Sequence, residues 1–418
     1  MTESSQSSTA ANAGVRGRPS PALLHALLER QPGEAADAFD LSGYDFSQID
    51  LGHRNLRGAN LRGARLFDTN LAGCDLHGAD LSRADLGLAR MDGADIGFAK
   101  FRGASLTGAC LTDAQGMGAD FGPAEVGGQS GDQRTGGETD LSCADLARAN
   151  LQAARLGKTM LVRANLRGTN LRQATLAGSQ LMAARLEGAD LTAADLSRAD
   201  LSSAVLTGTD LSGSALTDTV LDGADMRGAL FEEGAFRPAS LSGVKLPKPL
   251  ERLGRPLAAV LDDHELWVRS KGEKGQRADL SSYDLADADL SHCELSMIVL
   301  RQARMTGARL TGSTLIMADL SDCDLRYSTM NSADLRGAWL PRTSLSGSDL
   351  RYARLTAFTS GKGKSWPCDL RFARLRRVDL RFADLNDALI DGAIFSDAHL
   401  RHANFGGRPV DNGQSNSD

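Results

Sequence analysis

"LSCADLARANLQAARLGKTMLVRANLRGTN", residues 141–170, is the stretch that decides the fold. From Leu141 to Leu221 every fifth residue is leucine, seventeen times in succession. Two places before each leucine stands a small residue, mostly alanine (Ala144, Ala149, Ala154, Ala184, Ala189), otherwise residues such as Thr159, Thr169 or Ser179. The place just before the leucine often holds Asp or Asn, as at Asp145, Asn150, Asn165, Asp190 and Asp195. Neither an α-helix nor a flat strand repeats every five residues, so the period marks a solenoid.

If five residues make one side of a coil, four sides close a square, and coils stack at about 4.8 Å. Leucine then fills the axis, and the residue two places earlier points inward as well, because side chains alternate along an extended segment. Two inward residues on each of four sides leave room for only one large one. Ala, Ser, Thr and Cys therefore share one position, and Leu, Phe and Met the other.

The pattern A-[DN]-L-x-x, in units such as "ANLRGARL" (59–66), "ADLSRADL" (79–86) and "ANLRGTNL" (164–171), closely resembles the pentapeptide-repeat family. The resemblance extends from Leu41 to Phe405. It implies an all-β solenoid, a right-handed quadrilateral β-helix, here in two towers that each follow a short capping α-helix. It is specific for fold and says little of function, as is usual for repeat scaffolds.

Outward from the central run, residues 1–19 are rich in Ser, Ala and Gly and are expected to be disordered. A capping helix is predicted over 20–33, with Ser20 as N-cap, Pro21 as first residue and Leu23, Leu24, Leu27 and Leu28 on one face. It would cover the bare edge that a stacked β-coil leaves at its end. The first β-helix is predicted over 39–246, with inward residues from Leu41 and Phe46 to Phe121 and Val126. A loop at 127–140 ("GGQSGDQRTGGETD") preserves the phase, and the pattern relaxes through Met226, Phe231, Phe236 and Leu241 to Leu246. "PKPLERLGRP" should then end the pairing. Residues 247–275 are read as a linker and a second capping helix carrying Leu257, Val260, Leu261, His264, Trp267 and Val268, with Gly272 as its C-cap. The second β-helix is predicted over 278–405, again with a phase-preserving loop at 356–369, before a disordered tail at 406–418.

The formal net charge is −6 over 418 residues and aromatics make up 5%. A nucleic-acid binder should be basic and a whole-length mimic of DNA strongly acidic, so neither is indicated. Acids and bases number 12 and 8 over 39–126, 12 and 11 over 139–246, and 16 and 16 over 278–405. Residues twenty apart should stack on one face. Asp284, Arg304 and Asp324 then form a column of alternating sign, as do Asp289 with Arg309, Asp322 with Arg342, and Arg167 with Glu187.

No enzymatic chemistry is legible. His264-Glu265 lacks the second histidine of a metal-binding H-E-x-x-H, since position 268 is Val268. "SGKGKS" (360–365) has Phe358 where a phosphate-binding loop needs glycine. Of six cysteines, Cys74, Cys293, Cys323 and Cys368 take the small inward position and Cys110 and Cys143 point outward, so no disulfide framework is expected. No cofactor and no metal is expected. The N-terminus lacks the apolar core of a signal peptide, and no run of about eighteen apolar residues spans a membrane, so a cytoplasmic protein is expected.

The candidate contact residues are basic and aromatic: Lys362, Lys364 and Trp366 in the second loop, with Trp366 at its tip, then Arg371, Arg376, Arg377 and Arg381. They suit an acidic partner or a phosphate backbone. A solvated charged face beside Asp369, Asp379 and Asp384 is the plainer reading. Asp132 and Arg134 are the corresponding residues of the first loop. The function expected is a non-enzymatic scaffold whose flat faces and two loops meet a protein partner. The resemblance also admits a gyrase-protecting DNA mimic, a secreted effector, and end-to-end homodimers through the coil end near Phe405.

Overall fold

The computed structural model describes residues 16–29, 40–124, 137–231 and 242–410. The chain divides into two compact units. The first comprises Met1–Val205, Leu211–Ala224 and Phe231–Gly243; the second comprises Leu206–Asp210, Asp225–Leu230 and Val244–Asp418.

In both units parallel β-bridges join residues twenty apart. One coil of the first pairs Asp140 with Met160, Asp145 with Asn165, Asn150 with Asn170, and Arg155 with Thr175. Four rungs per twenty residues make four sides of five. The rungs are two-way: Leu141 N–H donates to the Met160 carbonyl (2.8 Å) and Met160 N–H to the Thr139 carbonyl (3.0 Å). Each side is shorter than expected, however. It offers one bridging residue, and a β-turn takes the other four. In one such turn the Leu56 carbonyl accepts from Ala59 N–H at 3.0 Å and Gly58 has φ 66°. A positive φ at the third turn residue is the type II signature.

The turn also explains the Asp or Asn before each leucine. Its side-chain oxygen accepts the N–H two residues on, as from Asp45 to Ser47 and from Asp50 to Gly52, both 2.9 Å. This Asx turn satisfies a donor that the square corner leaves without a backbone acceptor. Asparagines extend the bonding between coils, with Asn70 Nδ2 donating to Asp50 at 2.7 Å and Asn165 to Asp145 at 2.9 Å.

The axis is filled as the period predicts. The seventeen leucines from Leu141 to Leu221 are at most 3% exposed. Burying each stabilises the coil by about 1.5–3 kcal/mol relative to leaving it in water. Polar residues at the small inward position are satisfied: Thr69, Thr169 and Thr343 hydroxyls donate to the carbonyls of Phe46, Leu146 and Leu320 on the coil before. The thiols of Cys74 and Cys323 do the same to Leu51 and Leu300, and burial pushes the Cys74 thiol up to about 11.

Both insertions are measured by the bridges around them. Ser105 pairs with Asp140 and Asp120 with Arg155, 35 apart instead of twenty, so fifteen residues leave the first coil. Trp339 pairs with Asp369 and Asp349 with Asp379, 30 apart, so ten leave the second. The loops therefore end earlier than expected, since Thr139, Asp140, Cys368 and Asp369 already belong to coils. Leu106 N–H donates to the Asp140 carbonyl, so Leu141 holds the inward place next in line after Phe121. Val126, Phe236 and Leu241 lie outside the described residues. Leu246, expected inward, is 44% exposed, because the coil stops at Pro247.

The two units begin alike. Residues 16–19, expected to be disordered, include Gly17, which bridges Tyr44, while Arg16 lies 5.6 Å over the Tyr44 ring. Lys248 bridges Tyr283, and its ammonium lies 5.1 Å over that ring. The expectation that the prolines end pairing fails here, because Lys248 stands between Pro247 and Pro249 and keeps its own N–H and C=O free to pair. Each bridge is followed by a helix: α1, Pro21–Glu29, and α2, Leu257–Arg269, which comes after a short 3-10 turn, Leu250–Leu253. In α1 the Ser20 hydroxyl accepts from Leu23 N–H (3.2 Å) and Leu27 is buried. In α2 Val260 and His264 are buried and Leu257 and Leu261 pack on the core of the second unit. His264 Nδ1 accepts from Ala278 N–H at 3.2 Å, its ring stacks on Trp267 at 5.9 Å, and burial lowers its pKa. It is a neutral packing residue.

Gly272, itself at φ 90°, is not the first left-handed residue, the one that closes α2. Lys271 is, at φ 56°, with its N–H on the Val268 carbonyl, and Gly272 N–H reaches the Trp267 carbonyl. That pair of bonds is a Schellman closure with lysine in the place glycine usually takes.

Candidate interaction surface

The second insertion is an ordered hairpin. Strands β1, Phe358–Thr359, and β2, Ser365–Trp366, pair antiparallel with Phe358 opposite Trp366. Ser360 N–H donates to the Lys364 carbonyl (2.8 Å), Gly363 N–H to the Ser360 carbonyl (2.9 Å), and Gly363 turns the chain at φ 77°. The base rests on the coil: a Cβ at Gly337 would lie 2.8 Å from the Phe358 Cβ and 2.9 Å from the Met317 Sδ. Only glycine lets the hairpin sit so close.

Of the candidate residues, Lys362 is exposed at the tip and Lys364 lies with its ammonium 5.0 Å over the Trp366 ring. Trp366 itself is not at the tip. It is half-buried in β2 and stacked on Phe358 at 6.1 Å. The arginines are not brought together. Five residues carry the chain round one side of the square, so Arg371, Arg376 with Arg377, and Arg381 stand on three successive sides of one coil.

Most of these guanidiniums are already engaged. Arg371 grips Asp369 through two bonds (3.0 and 2.7 Å), Arg381 grips Asp379 (2.9 and 2.7 Å), and Arg377 lies 4.0 Å from Asp397. Arg381 holds the Asp379 carboxyl below its usual range. Asp132 and Arg134 lie outside the described residues.

Columns of opposite charge also form between coils, with Asp284–Arg304 at 3.1 Å, Asp289–Arg309 at 3.0 Å, Asp322–Arg342 at 2.6 Å and Arg167–Glu187 at 2.7 Å. Exposed pairs of this kind contribute about 0–1 kcal/mol each. Their main effect is to leave little free charge on the surface.

One set of residues escaped sequence reasoning. The unit D-L-R-aromatic occurs four times in the second unit, at 324–327, 349–352, 369–372 and 379–382. Each arginine folds back onto the aspartate two places before it, and each ring stands at a left-handed corner: Tyr327, Tyr352, Phe372 and Phe382 have φ between 59° and 62°. They are 47–67% exposed, and Trp339 nearby is 54% exposed. The recurring tetrapeptide was the available signal.

Among the described residues no group of three or more His, Cys, Asp or Glu could hold a metal ion, and no helix is long and apolar enough to cross a membrane. A square coil of five-residue sides, self-paired in charge and carrying an ordered insertion, defines the chain as a repeat solenoid. The sequence profile for pentapeptide repeats matches residues 45–108, 138–232, 278–357 and 368–407, and the chain belongs to that family of right-handed β-helices.

Similar solved structures are pentapeptide repeat proteins. HetL, involved in heterocyst differentiation regulation in the cyanobacterium Nostoc sp. strain PCC 7120, is 24% identical, with 83% of this chain and 89% of that one covered and a TM-score of 0.19. Rfr23 from the cyanobacterium Cyanothece 51142 is 26% identical over 34% of this chain and 90% of that one, with a TM-score of 0.26. QnrB1, a plasmid-mediated fluoroquinolone resistance protein, is 26% identical over 53% and 94%, with a TM-score of 0.29. No curated protein gives a significant match.

Proposed function

We propose that the chain is a non-enzymatic scaffold of two capped pentapeptide towers, working in the cytoplasm, which holds a protein partner on its side faces and on the insertions at 127–140 and 356–369. The observation that carries this reading is the hairpin Phe358–Trp366. Ten residues leave a coil without disturbing its phase, fold into a pair of strands seated on Gly337, and raise Lys362 clear of the surface. A coil needs no such projection for its own stability, and loops set on rigid scaffolds are where recognition concentrates.

The test is affinity purification from the native host with the intact chain and with chains lacking residues 127–136, residues 358–367 or both. Loss of one specific partner on removal of either insertion is the expected result. Recovery of every partner after both deletions contradicts the reading. Imitation of duplex DNA is not favoured, because carboxylates on the coil faces are matched by arginines at close range. The intact chain should accordingly leave gyrase supercoiling, with or without a quinolone, unchanged.

A further inference from the structure

The last three coils of the second unit carry on one side the dipeptides Arg351-Tyr352, Arg381-Phe382 and Arg401-His402. The three rings form a ladder, Tyr352 to Phe382 at 5.1 Å and 5°, then Phe382 to His402 at 4.9 Å and 23°. Each ring stands at a left-handed corner, with φ of 61°, 62° and 64°. Bulky residues are uncommon in that conformation, and the same column holds Gly312 two coils before Tyr352. Stacking on one another recovers part of the strain, yet Tyr352 and Phe382 remain 57% and 47% exposed. Large apolar rings left about half exposed in one row point to a use outside the fold.

The chemistry of the strip selects its occupant. Rings stacked along the coil axis turn their edges outward, and the edge of an aromatic ring is its positive part. Beside them run three guanidiniums and only two carboxylates. Asp349 pairs with Arg351, and Asp379 serves Arg381 at 2.7 Å and Arg351 at 3.7 Å. Arg401 is exposed and has no ion pair among the described residues. Lower on the same side the charges balance, as in Asp289 with Arg309, and Gly312 and Ser332 separate His292 from the ladder, so no rings stack there. A single-stranded nucleic acid needs open ring faces for its bases; here Phe382 has a ring on each face and Tyr352 has one covered.

We propose that this strip receives an acidic segment of a partner protein, which sets carboxylates on Arg401 and Arg381 and apolar side chains against the ring edges of Tyr352 and Phe382. The proposal rests on the scaffold reading and names the chemistry of what the scaffold holds. Tyrosine and arginine are the residue types that dominate protein interfaces of this kind.

The experiment uses the full chain and three labelled probes in fluorescence anisotropy: a peptide alternating glutamate with phenylalanine, its glutamine counterpart, and an oligothymidine strand. Two variants are compared, Arg401→Ala and the double Tyr352→Gly/Phe382→Gly. Glycine is at ease in a left-handed corner, so the double variant keeps its melting temperature, which is measured first. The glutamate peptide should saturate the intact chain and lose about tenfold or more in affinity with either variant and with the glutamine peptide. Equal binding to intact chain and variants, no saturation up to roughly 1 mM, or oligothymidine preferred over peptide overturns the proposal. Failure here with a loop-dependent host partner still captured leaves the scaffold standing. Loss of that partner's dependence on the insertions sinks the scaffold reading whatever the peptide does.

Discussion

The Ala189→Trp chain is expected to lose more than about 3 kcal/mol of stability, beyond the 1–3 kcal/mol typical of an overpacked core. Ala189 is fully buried, and Thr169 occupies the same column on the coil before. The wall around it is backbone held by hydrogen bonds, Ala189 N–H to the Leu186 carbonyl and Asp190 N–H to the Thr169 carbonyl, both 2.9 Å. An indole there cannot be accommodated by a change of rotamer alone. It must break rungs between coils, and since each coil is stabilised only by its neighbours, the melt should split or fall sharply in calorimetry. Ala189→Thr is the control, because threonine already fits that column and donates to a carbonyl of the previous coil. An unchanged melting temperature for the tryptophan variant would contradict the packing account.

Phe121→Ala should be the next most damaging change, at about 3–5 kcal/mol in denaturant unfolding. Its ring stacks flat on Phe101 at 4.7 Å and 6°, and both are fully buried. The position also holds the coil together where the fifteen-residue insertion leaves it. Phe121 N–H donates to the Arg155 carbonyl at 2.7 Å, and its carbonyl accepts the Thr159 hydroxyl at 3.0 Å, both from beyond the insertion. Phe121→Leu keeps most of the volume and should cost less than about 1.5 kcal/mol. Equal effects from the two substitutions would mean that the stacked rings do not fill the axis as described.

Much of this was legible because the repeat forces it. The axis admits one large residue per side, so the leucine period alone gives the coil, its phase across both insertions and the need for covered ends. What stayed hidden depends on the turns. Reading each side as a straight extended segment left the Asp or Asn before leucine without a role, whereas its oxygen closes the corner. The same assumption concealed the aspartate–arginine grip within D-L-R and the left-handed place of the next residue.

The basic run from Arg371 to Arg381 looked like a patch because its members are close in sequence. A chain that turns a corner every five residues separates such neighbours and instead unites Tyr352 with Phe382, thirty residues on, across the hairpin. Gly17 and Lys248 were missed for a different reason. A single bridging residue leaves no periodic trace, and only the Tyr-Asp that begins with each partner, Tyr44-Asp45 and Tyr283-Asp284, hints at the shared start.

The coil of twenty residues is tested most directly by a cross-link. Cys143 is exposed, its N–H donates to the Val162 carbonyl at 2.9 Å, and Arg163 occupies the same corner on the next coil, each with φ 59°. Coils about 4.8 Å apart lie within the Cα separation a disulfide requires. Under mild oxidation Arg163→Cys should bridge to Cys143 nearly completely while Gly168→Cys, one corner further round, should not. Bridging by Gly168→Cys and not by Arg163→Cys would mean a coil of a different length, and the architecture described here would be wrong.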